Sequence, residues 1–274
     1  MSGQSRLDAA LVSRGLSQSR QRAKELIAGG FVTVGGEIAE KASQSVCDSD
    51  DIAVTGGELR YASRAGLKLE HAARELGISF EGMICADIGA STGGFTDYML
   101  QNGARHVYAV DVGHDQLAEK LKSDSRVTDL EGVNVKELDS SFFDKPVDIM
   151  TTDLSFISLK TALPFMLSSL RAGASLVLLI KPQFEAGRSA IGKGGIVKDR
   201  KVHQSVLSDM CAFVCAQGVK IKSVIPSPIT GGDGNIEYLL YGEYAAQPTA
   251  FESDIKSIVQ SAFETHKRNT RNER

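Results

Sequence analysis

The hydrophobic pattern divides the chain into two parts with different periodicity. Up to about residue 59 the apolar runs are short, and they predict a small α+β unit. Gly35 and Gly36 stand between two short apolar segments and predict the turn of a β-hairpin. The elements predicted here are helices over 7–13 and 18–28 and strands over 31–34, 37–39 and 51–54.

From residue 64 onward, strand and helix patterns alternate. The run Leu176–Ile180 is continuously apolar, which is typical of a strand buried on both faces of a parallel sheet. This alternation predicts an α/β fold with an open, mostly parallel, doubly wound sheet. The predicted strands cover 83–87, 106–111, 127–130, 147–153, 175–181, 219–225 and 235–241. The predicted helices cover 64–75, 94–101, 115–122, 159–170, 198–217 and 251–266.

These patterns also predict the domain organisation. Residues 5–59 form a small N-terminal unit, and residues 60–63 form a linker. Residues 64–245 form the main α/β domain, and residues 246–274 add a C-terminal helix and a basic tail. A length of 274 residues fits one or two domains of ordinary size.

Composition excludes several classes of protein. With 42% hydrophobic and 24% charged residues, the chain is neither collagen-like nor largely disordered. Its apolar runs are far shorter than the roughly 18 residues of a membrane span, and no apolar signal segment follows Met1. We therefore expect a cytoplasmic protein without a membrane partner. Cys211 and Cys215 share a helix face downstream of His203, but we expect buried apolar packing there and no metal site.

Charge is distributed unevenly. The net charge is −3, yet basic residues concentrate in 1–30, 181–201 and 265–274. Local basic patches on a mildly acidic body favour nucleic-acid binding at defined places, although any single patch is also compatible with a solvated surface. The stretch from Arg188 to Lys201 contains three glycines and is interpreted as a flexible basic loop that could close over an RNA.

A glycine-rich turn after the first predicted strand of the main domain suggests a nucleotide-type ligand. It follows Asp87 with the spacing D-x-G-x-x-x-G-G and opens a helix, whose free N–H groups face such a ligand. Asp111 ends the next strand, 22 residues after Gly89, which suits a ribose hydroxyl. An acid at the turn suits the ammonium group of S-adenosylmethionine and favours it over NAD, while NAD and a ligand-free turn stay open. The candidate cofactor residues are Asp87, Gly89, Ala90, Ser91, Gly93, Gly94, Asp111 and Val112.

The N-terminal unit resembles the S4 RNA-binding domain. The resemblance is carried by Arg6-Leu-Asp, by Ser19-Arg20 with Ala23, Leu26 and Ile27, and by the alternation from Gly30 to Gly36. Arg20 and Lys24 are four residues apart and share a helix face that can grip phosphates. The candidate RNA contacts of the whole chain are Arg6, Arg14, Arg20, Arg22, Lys24, Arg64, Arg188 and Lys193.

The chain as a whole resembles the TlyA family. The segments that carry the resemblance are Ser63–Leu69, Asp87–Thr96, Asp153–Leu159, Lys181–Glu185 and Gly234–Glu237. The resemblance implies an S4 domain followed by a Rossmann-like, FtsJ-like class I methyltransferase. It also implies S-adenosylmethionine as cofactor and methylation of a cytidine 2′-hydroxyl in ribosomal RNA, with the 30S or 50S subunits as partners. Some members of the family carry the label haemolysin.

The same resemblance implies a catalytic set of four charged residues. By position these residues are Lys68, Asp153, Lys181 and Glu237. Lys181 would act as the base or would steer the hydroxyl, Asp153 would orient both, and Lys68 and Glu237 would position the ribose and balance charge. The chain departs from the family where His114 and Asp115 replace Tyr and Gly, and where Lys136 replaces Arg.

Three other functions are weighed against this interpretation. A non-catalytic RNA-binding or assembly factor is disfavoured because all four charged residues are present. A membrane-lytic haemolysin is disfavoured because neither a signal segment nor a long amphipathic or membrane-spanning segment is apparent. An NAD dehydrogenase is disfavoured by the turn spacing. A monomer is expected, since no coiled coil or pairing strand is apparent.

Overall fold

The computed structural model describes residues 4–17, 19–28, 31–39, 41–54, 60–187, 190–192, 194–232 and 234–272. It separates into two compact units, the first ending at Arg64 and the second running from Ala65 to Asn272. Residues 60–63, the predicted linker, therefore belong to the first unit. The predicted RNA contacts Arg188 and Lys193 lie outside the described residues.

The first unit contains two helices and short antiparallel strands. In chain order they are β1 (Gln4–Arg6), α1 (Leu7–Ser13), α2 (Arg20–Ala28), β2 (Val32–Val34), β3 (Glu37–Ile38), β4 (Ser45–Cys47) and β5 (Ile52–Val54). The order β3-β2-β5 forms one sheet, and β1 pairs with β4 in another. The sequence analysis did not predict β1 and β4.

Side-chain capping explains where α2 begins. The predicted helix over 18–28 starts two residues late, at Arg20. Ser19 Oγ accepts a hydrogen bond from the backbone N of Arg22 at 3.1 Å, and this bond satisfies a donor that the first turn leaves unpaired. α1 ends as predicted at Ser13, shortly before Gly15, which adopts φ of 70°.

The second unit is the predicted doubly wound α/β domain. Its elements are α3 (Ala65–Leu76), β6 (Ile84–Ile88), α4 (Gly94–Gln101), β7 (His106–Asp111), α5 (Glu119–Lys122), β8 (Val127–Glu131), β9 (Ile149–Thr152), α6 (Leu159–Ser168), β10 (Ser175–Ile180), α7 (Pro182–Glu185), α8 (Arg200–Ala216), β11 (Val219–Pro226), β12 (Tyr238–Tyr244) and α9 (Ile255–Asn272). The strand order in the described residues is β11-β12-β10-β9-β6-β7-β8. β10, β9, β6, β7 and β8 are parallel, and β12 pairs antiparallel with β10 and β11.

One predicted helix is shorter than expected because a carboxylate binds its backbone. Residues 115–122 were predicted to be helical, but α5 covers only Glu119–Lys122. Glu131 accepts hydrogen bonds from the backbone N of Asp115, Gln116 and Leu117 at 2.5–2.8 Å. Burial raises the pKa of Glu131, but these amides and Lys122 outweigh it and bring the pKa to about 2. The segment is therefore a fixed loop around an anion.

The last helix also differs from its prediction. α9 begins at Ile255 because Asp254 Oδ1 accepts from the backbone N of Ser257 at 3.1 Å, as a helix-capping side chain does. It buries Val259 and Ala262 and continues to Asn272. Among the described residues, no helix combines the length and apolarity needed to cross a membrane.

α8 buries the residues that had been considered for a metal site. Cys211 and Cys215 are each 5% exposed and pack into the core of the second unit. Burial raises the pKa of the Cys211 thiol to about 11. Both ring nitrogens of His203 lie within hydrogen-bond distance of protein oxygens. Within the described ranges, no group of three or more His, Cys, Asp or Glu side chains could hold a metal ion.

Candidate active site

A cavity lies at the carboxyl ends of the parallel strands. The order of the sheet reverses at β6, which has β7 on one side and β9 on the other. Open α/β sheets bind ligands at such a switch point. A cavity of about 480 Å³ opens there, and its wall comes from the segments that follow β6, β7, β8 and β9.

The glycine-rich turn after β6 is shaped by close backbone contacts. Gly89 has φ of 85°, and a Cβ at this position would lie 3.0 Å from the backbone O of Asp153. Gly93 has φ of 90°, and a Cβ there would lie 2.2 Å from Leu121 Cδ1. A side chain at either position would meet both backbone strain and a clash. Gly89 lets the turn approach the backbone of Asp153 closely, and Gly93 lets it approach Leu121.

The sequence analysis expected Asp87 to contact the cofactor, but Asp87 does not line the cavity. Its side chain is 1% exposed, and Oδ2 accepts from the backbone N and Oγ1 of Thr96 at 2.9 and 2.7 Å. Thr151 Oγ1 lies 3.2 Å from Oδ1. Burial raises the pKa of Asp87 to about 7, although the Thr96 hydrogen bond acts in the opposite direction. The expected direct contact with a cofactor ammonium is therefore corrected, because this carboxylate is used to fix the start of α4.

Asp111 and Val112 do line the cavity. Asp111 Oδ2 accepts from the backbone N of Ser91 at 2.8 Å, and Oδ1 accepts from the backbone N of Gly113 at 2.7 Å. These bonds hold a carboxylate at the end of β7, where it suits a ribose hydroxyl. Val112 is 67% exposed and offers an apolar surface beside it.

The predicted cofactor residues thus fall into two groups. Gly89, Ser91, Asp111 and Val112 form part of the cavity wall. Ala90, Gly93 and Gly94 belong to the same turn but do not line the cavity. Their contribution is to the path of the backbone and the start of α4.

Sequence reasoning missed several lining residues. Gln116, Asn134 and the segment from Leu154 to Ile157 all line the cavity. Asn134 lies just after β8, in the same way that Asp111 lies at the end of β7. The rule that ligands bind at the carboxyl ends of strands could therefore have found it. Its side chain accepts from the backbone N of Lys136 at 3.0 Å and caps the 3₁₀ turn Val135–Glu137.

The four predicted catalytic residues come together at one edge of the cavity. Lys181 Nζ lies 2.6 Å from Asp153 Oδ1, and Lys68 Nζ lies 3.5 Å from Asp153 Oδ2. Lys68 Nζ also donates to Glu237 Oε2 at 2.7 Å. We call these four residues the charged tetrad. Two ammonium groups face two carboxylates, so the tetrad is balanced in charge.

Three residues of the tetrad are held away from water. Lys68, Lys181 and Glu237 are 5%, 7% and 2% exposed. Burial raises the pKa of Asp153, but the ammonium groups of Lys68 and Lys181 outweigh it and hold the pKa below its usual value. Buried charges of this kind require partners, because isolated ions lose their hydration. Each member of the tetrad therefore depends on the others.

Each tetrad residue is supplied by a different element. Lys68 lies in α3, Asp153 follows β9, Lys181 links β10 to α7, and Glu237 directly precedes β12. Lys181 Nζ also donates to Ser155 Oγ at 2.8 Å. Because Asp153 and Ser155 both line the cavity, the Lys181 ammonium lies at its edge.

The basic residues of the first unit have mixed roles. The Asp8 carboxylate is fully buried and pairs with Arg6 and Arg20 at 3.0 Å each. The Arg6 hydrogen bond, with help from Arg20, lowers the pKa of Asp8 to about 2. Both arginine side chains remain at least half exposed, and Lys24 is exposed. They stay candidates for RNA contact.

Arg14 also has a structural role in the first unit, and its contact with RNA stays a prediction. Its guanidinium donates to the backbone O of Asp50 at 2.7 Å and of Cys47 at 2.8 Å. It thereby ties the end of α1 to the turn between β4 and β5. The remaining predicted contacts, Arg22 and Arg64, are partly buried.

Comparison with known proteins identifies the family of this chain. Residues 61–244 match the FtsJ-like methyltransferase family, and residues 5–52 match the S4 domain. A relative from Mycobacterium tuberculosis, the 16S/23S rRNA (cytidine-2′-O)-methyltransferase TlyA, is 41% identical over 242 residues, which cover 88% of this chain and 90% of the relative. The chain belongs to the TlyA family. Hemolysin A of Brachyspira hyodysenteriae is 42% identical over 86% of this chain and 98% of its own length.

A solved structure is similar to this chain along almost its whole length. A candidate hemolysin from Streptococcus thermophilus is 41% identical, and the match covers 99% of this chain and 100% of the other with a TM-score of 0.79. Family membership confirms the predicted S4 and FtsJ-like domains, and it confirms that the chain is an enzyme, a methyltransferase. It also confirms S-adenosylmethionine as the cofactor.

The cavity fits this cofactor. Its volume of about 480 Å³ lies within the usual range of small-molecule sites, roughly 300–1,000 Å³. Asp111 offers acceptors for ribose hydroxyls, and Val112, Val133 and Ile157 offer apolar surface for a base. Gly89 brings the backbone close to the opposite wall at Asp153. The residues that would hold S-adenosylmethionine are therefore present.

Proposed function

We propose that this TlyA-family protein methylates the 2′-hydroxyl of a cytidine in ribosomal RNA, within assembled 30S or 50S subunits. It acts in the cytoplasm as a monomer, and its N-terminal S4 unit binds the RNA. The observation that carries the proposal is the charged tetrad at the edge of the cofactor cavity. A relative over most of the chain is named for the same reaction.

The tetrad suits a reaction at a weakly acidic hydroxyl. S-adenosylmethionine supplies an activated methyl group when it is bound. The protein must place the ribose oxygen, and the proton that leaves the hydroxyl passes to water. Lys181 Nζ has two acceptors, Asp153 Oδ1 and Ser155 Oγ, at 2.6 and 2.8 Å. An ammonium group has three N–H donors, so one direction is left to orient a substrate hydroxyl and to offset the charge that develops on its oxygen.

The other tetrad residues keep Lys181 in place. Asp153 binds Lys181 through Oδ1 and Lys68 through Oδ2, so one carboxylate fixes both cations. Glu237 binds Lys68 from the other side. A Cβ at Gly231 would lie 2.5 Å from Glu237 Oε1, so the backbone packs closely behind this carboxylate. Such preorganised charges need little rearrangement during the reaction.

Methyl transfer to defined RNA substrates tests the proposal. Tritiated S-adenosylmethionine is offered with unmodified 30S subunits, 50S subunits and free ribosomal RNA. We expect label in a subunit, and digestion to nucleosides should release it as 2′-O-methylcytidine. Label on a base would contradict ribose methylation. Cofactor binding with no label on any RNA would favour a binding or assembly factor.

Phe156 offers a surface for the target base. The ring is 93% exposed at the cavity, and the residue adopts φ of 65°, which is strained for an aromatic residue. Its ring centre lies 5.4 Å from that of Phe184. Enzymes that modify nucleotides often stack an exposed base on an aromatic side chain. We propose that the target base stacks on Phe156.

Substitution of Phe156 should therefore reduce use of RNA. Because stacking on an aromatic ring contributes about 1–3 kcal/mol per base, Phe156→Ala should lower kcat/KM for RNA by about 10- to 100-fold. Thermal unfolding should not change, since the ring is exposed. Phe156→Trp should retain activity, and Phe165→Ala, which removes a 37% exposed ring from α6, is the control. An equal loss of cofactor affinity in Phe156→Ala would mean that the ring contacts the cofactor instead.

A further inference from the structure

A buried polar network lies beside the tetrad and has no part in the chemistry described above. Its centre is Asn235, which is 1% exposed and stands two residues before Glu237. Asn235 Oδ1 accepts from the backbone N of Val197 at 3.0 Å. Asn235 Nδ2 donates to the backbone O of Gly195 at 3.0 Å. One side-chain amide therefore pairs with two backbone groups of a segment about 40 residues earlier.

His203 extends this network from α8. Its ring is fully buried, with Nδ1 2.9 Å from Tyr238 Oη and Nε2 2.9 Å from the backbone O of Val197. Burial lowers the pKa of His203 and raises that of Tyr238. The neutral imidazole therefore donates from Nε2 to Val197 and accepts at Nδ1 from the Tyr238 hydroxyl. Tyr238 directly follows Glu237, so the network ends where the tetrad begins.

The network fixes an irregular segment. Gly195–Val197 belongs to neither a helix nor a strand, yet both backbone groups of Val197 are bound by side chains. Buried polar groups that are fully paired hold one specific arrangement, because any other arrangement leaves them unpaired. The segment is thereby held against the start of β12. The expected flexible loop is fixed at this end.

Basic side chains follow the fixed segment directly. Lys198, Arg200 and Lys201 are exposed, and Asp199 Oδ1 caps α8 by accepting from the backbone N of Lys201 at 2.8 Å. The Arg200 guanidinium lies 5.1 Å from the ring centre of Phe263. Lys198 and Lys201 are thus placed relative to Glu237 by the buried network. Exposed lysines suit the phosphates of a polynucleotide.

We propose that Asn235 and His203 are positioning residues, which hold Lys198 and Lys201 as a phosphate-binding surface for the RNA that enters the active site. This inference rests on the proposed function, since it takes RNA as the substrate. It assigns a substrate-binding role to residues that contact neither the cofactor cavity nor the reacting hydroxyl.

The salt dependence of RNA binding tests the proposal without activity. The probe is the RNA or subunit that the unaltered protein methylates, and its dissociation constant is measured across a salt series. Each phosphate contact that is lost lowers the slope of log Kd against log salt by about 1. Lys198→Ala and Lys201→Ala should each lower the slope. Asn235→Ala should lower it as well, although this substitution removes no charge.

Combined variants separate positioning from general damage. If Asn235 acts through the lysines, Lys201→Ala should lower the salt slope less in the Asn235→Ala protein than it does in the unaltered protein. His203→Gln should lower the salt slope less than His203→Ala, because an amide can still donate to Val197 and accept from Tyr238. Cys211→Ala, in the same helix and equally buried, and Lys222→Ala, at a surface ion pair, should leave the slope unchanged.

Kinetics supply a second measurement. Asn235→Ala should raise KM for RNA by about tenfold, the scale of one or two lost hydrogen bonds, and leave kcat within about threefold. Cofactor affinity should stay unchanged. An unaltered salt slope with a lower kcat, or additive effects of Asn235→Ala and Lys201→Ala, would overturn the inference. Absence of RNA methylation by the unaltered protein would instead contradict the proposed function.

Discussion

Lys181→Ala should slow methyl transfer strongly and leave cofactor binding intact. Lys181 Nζ is the tetrad group that two cavity-lining residues, Asp153 and Ser155, hold at the edge of the cavity. An alanine removes the donor that orients the hydroxyl and offsets charge on its oxygen. Loss of a preorganised electrostatic group costs about 10²–10³-fold. We therefore expect kcat to fall by about 10²–10³-fold.

The measurement is transfer of the tritiated methyl group to the ribosomal subunit that the unaltered protein methylates. Cofactor affinity is determined by calorimetry. Lys222→Ala is the matched control, because Lys222 pairs with Glu243 at 2.9 Å but both side chains are about two-fifths exposed. A surface pair of this kind contributes little. A Lys181→Ala protein that binds the cofactor and methylates RNA within tenfold of the unaltered rate would remove Lys181 from the chemistry.

The sequence predicted the features that repeat along the chain. Strand–helix alternation is a local signal, so it was sufficient for the parallel sheet and for Asp111 at the end of β7. The tetrad was named from a family resemblance, and no spacing in the sequence brings Lys68 to Glu237. Those residues are separated by 169 positions and meet only through the order of the strands.

The errors arose where a side chain competes with a local pattern. Glu131 removes residues 115–117 from a helix by binding their amides. Asp87 stands at a cofactor turn but is enclosed by Thr96 and Thr151. In both cases the decisive contact is a hydrogen bond between side chain and protein, which hydropathy does not reveal.

Lys68→Met should lower stability strongly, because it leaves a buried carboxylate without its ammonium partner. Glu237 is 2% exposed and accepts from Lys68 at 2.7 Å. Removing one member of a buried ion pair typically costs about 3–5 kcal/mol, which is a large share of the stability of a domain. Urea unfolding should therefore show a much lower midpoint. Asp153 still retains Lys181 at 2.6 Å in this variant.

A second substitution separates the structural role of the pair from its role in the reaction. In Lys68→Met/Glu237→Gln the uncompensated charge is gone, and most of the lost stability should return. Methyl transfer should remain low, because the ribose no longer meets the charges that the tetrad provides. If the double variant regains methyl transfer together with its stability, Lys68 and Glu237 serve only to hold the fold, and the reaction depends on Asp153 and Lys181.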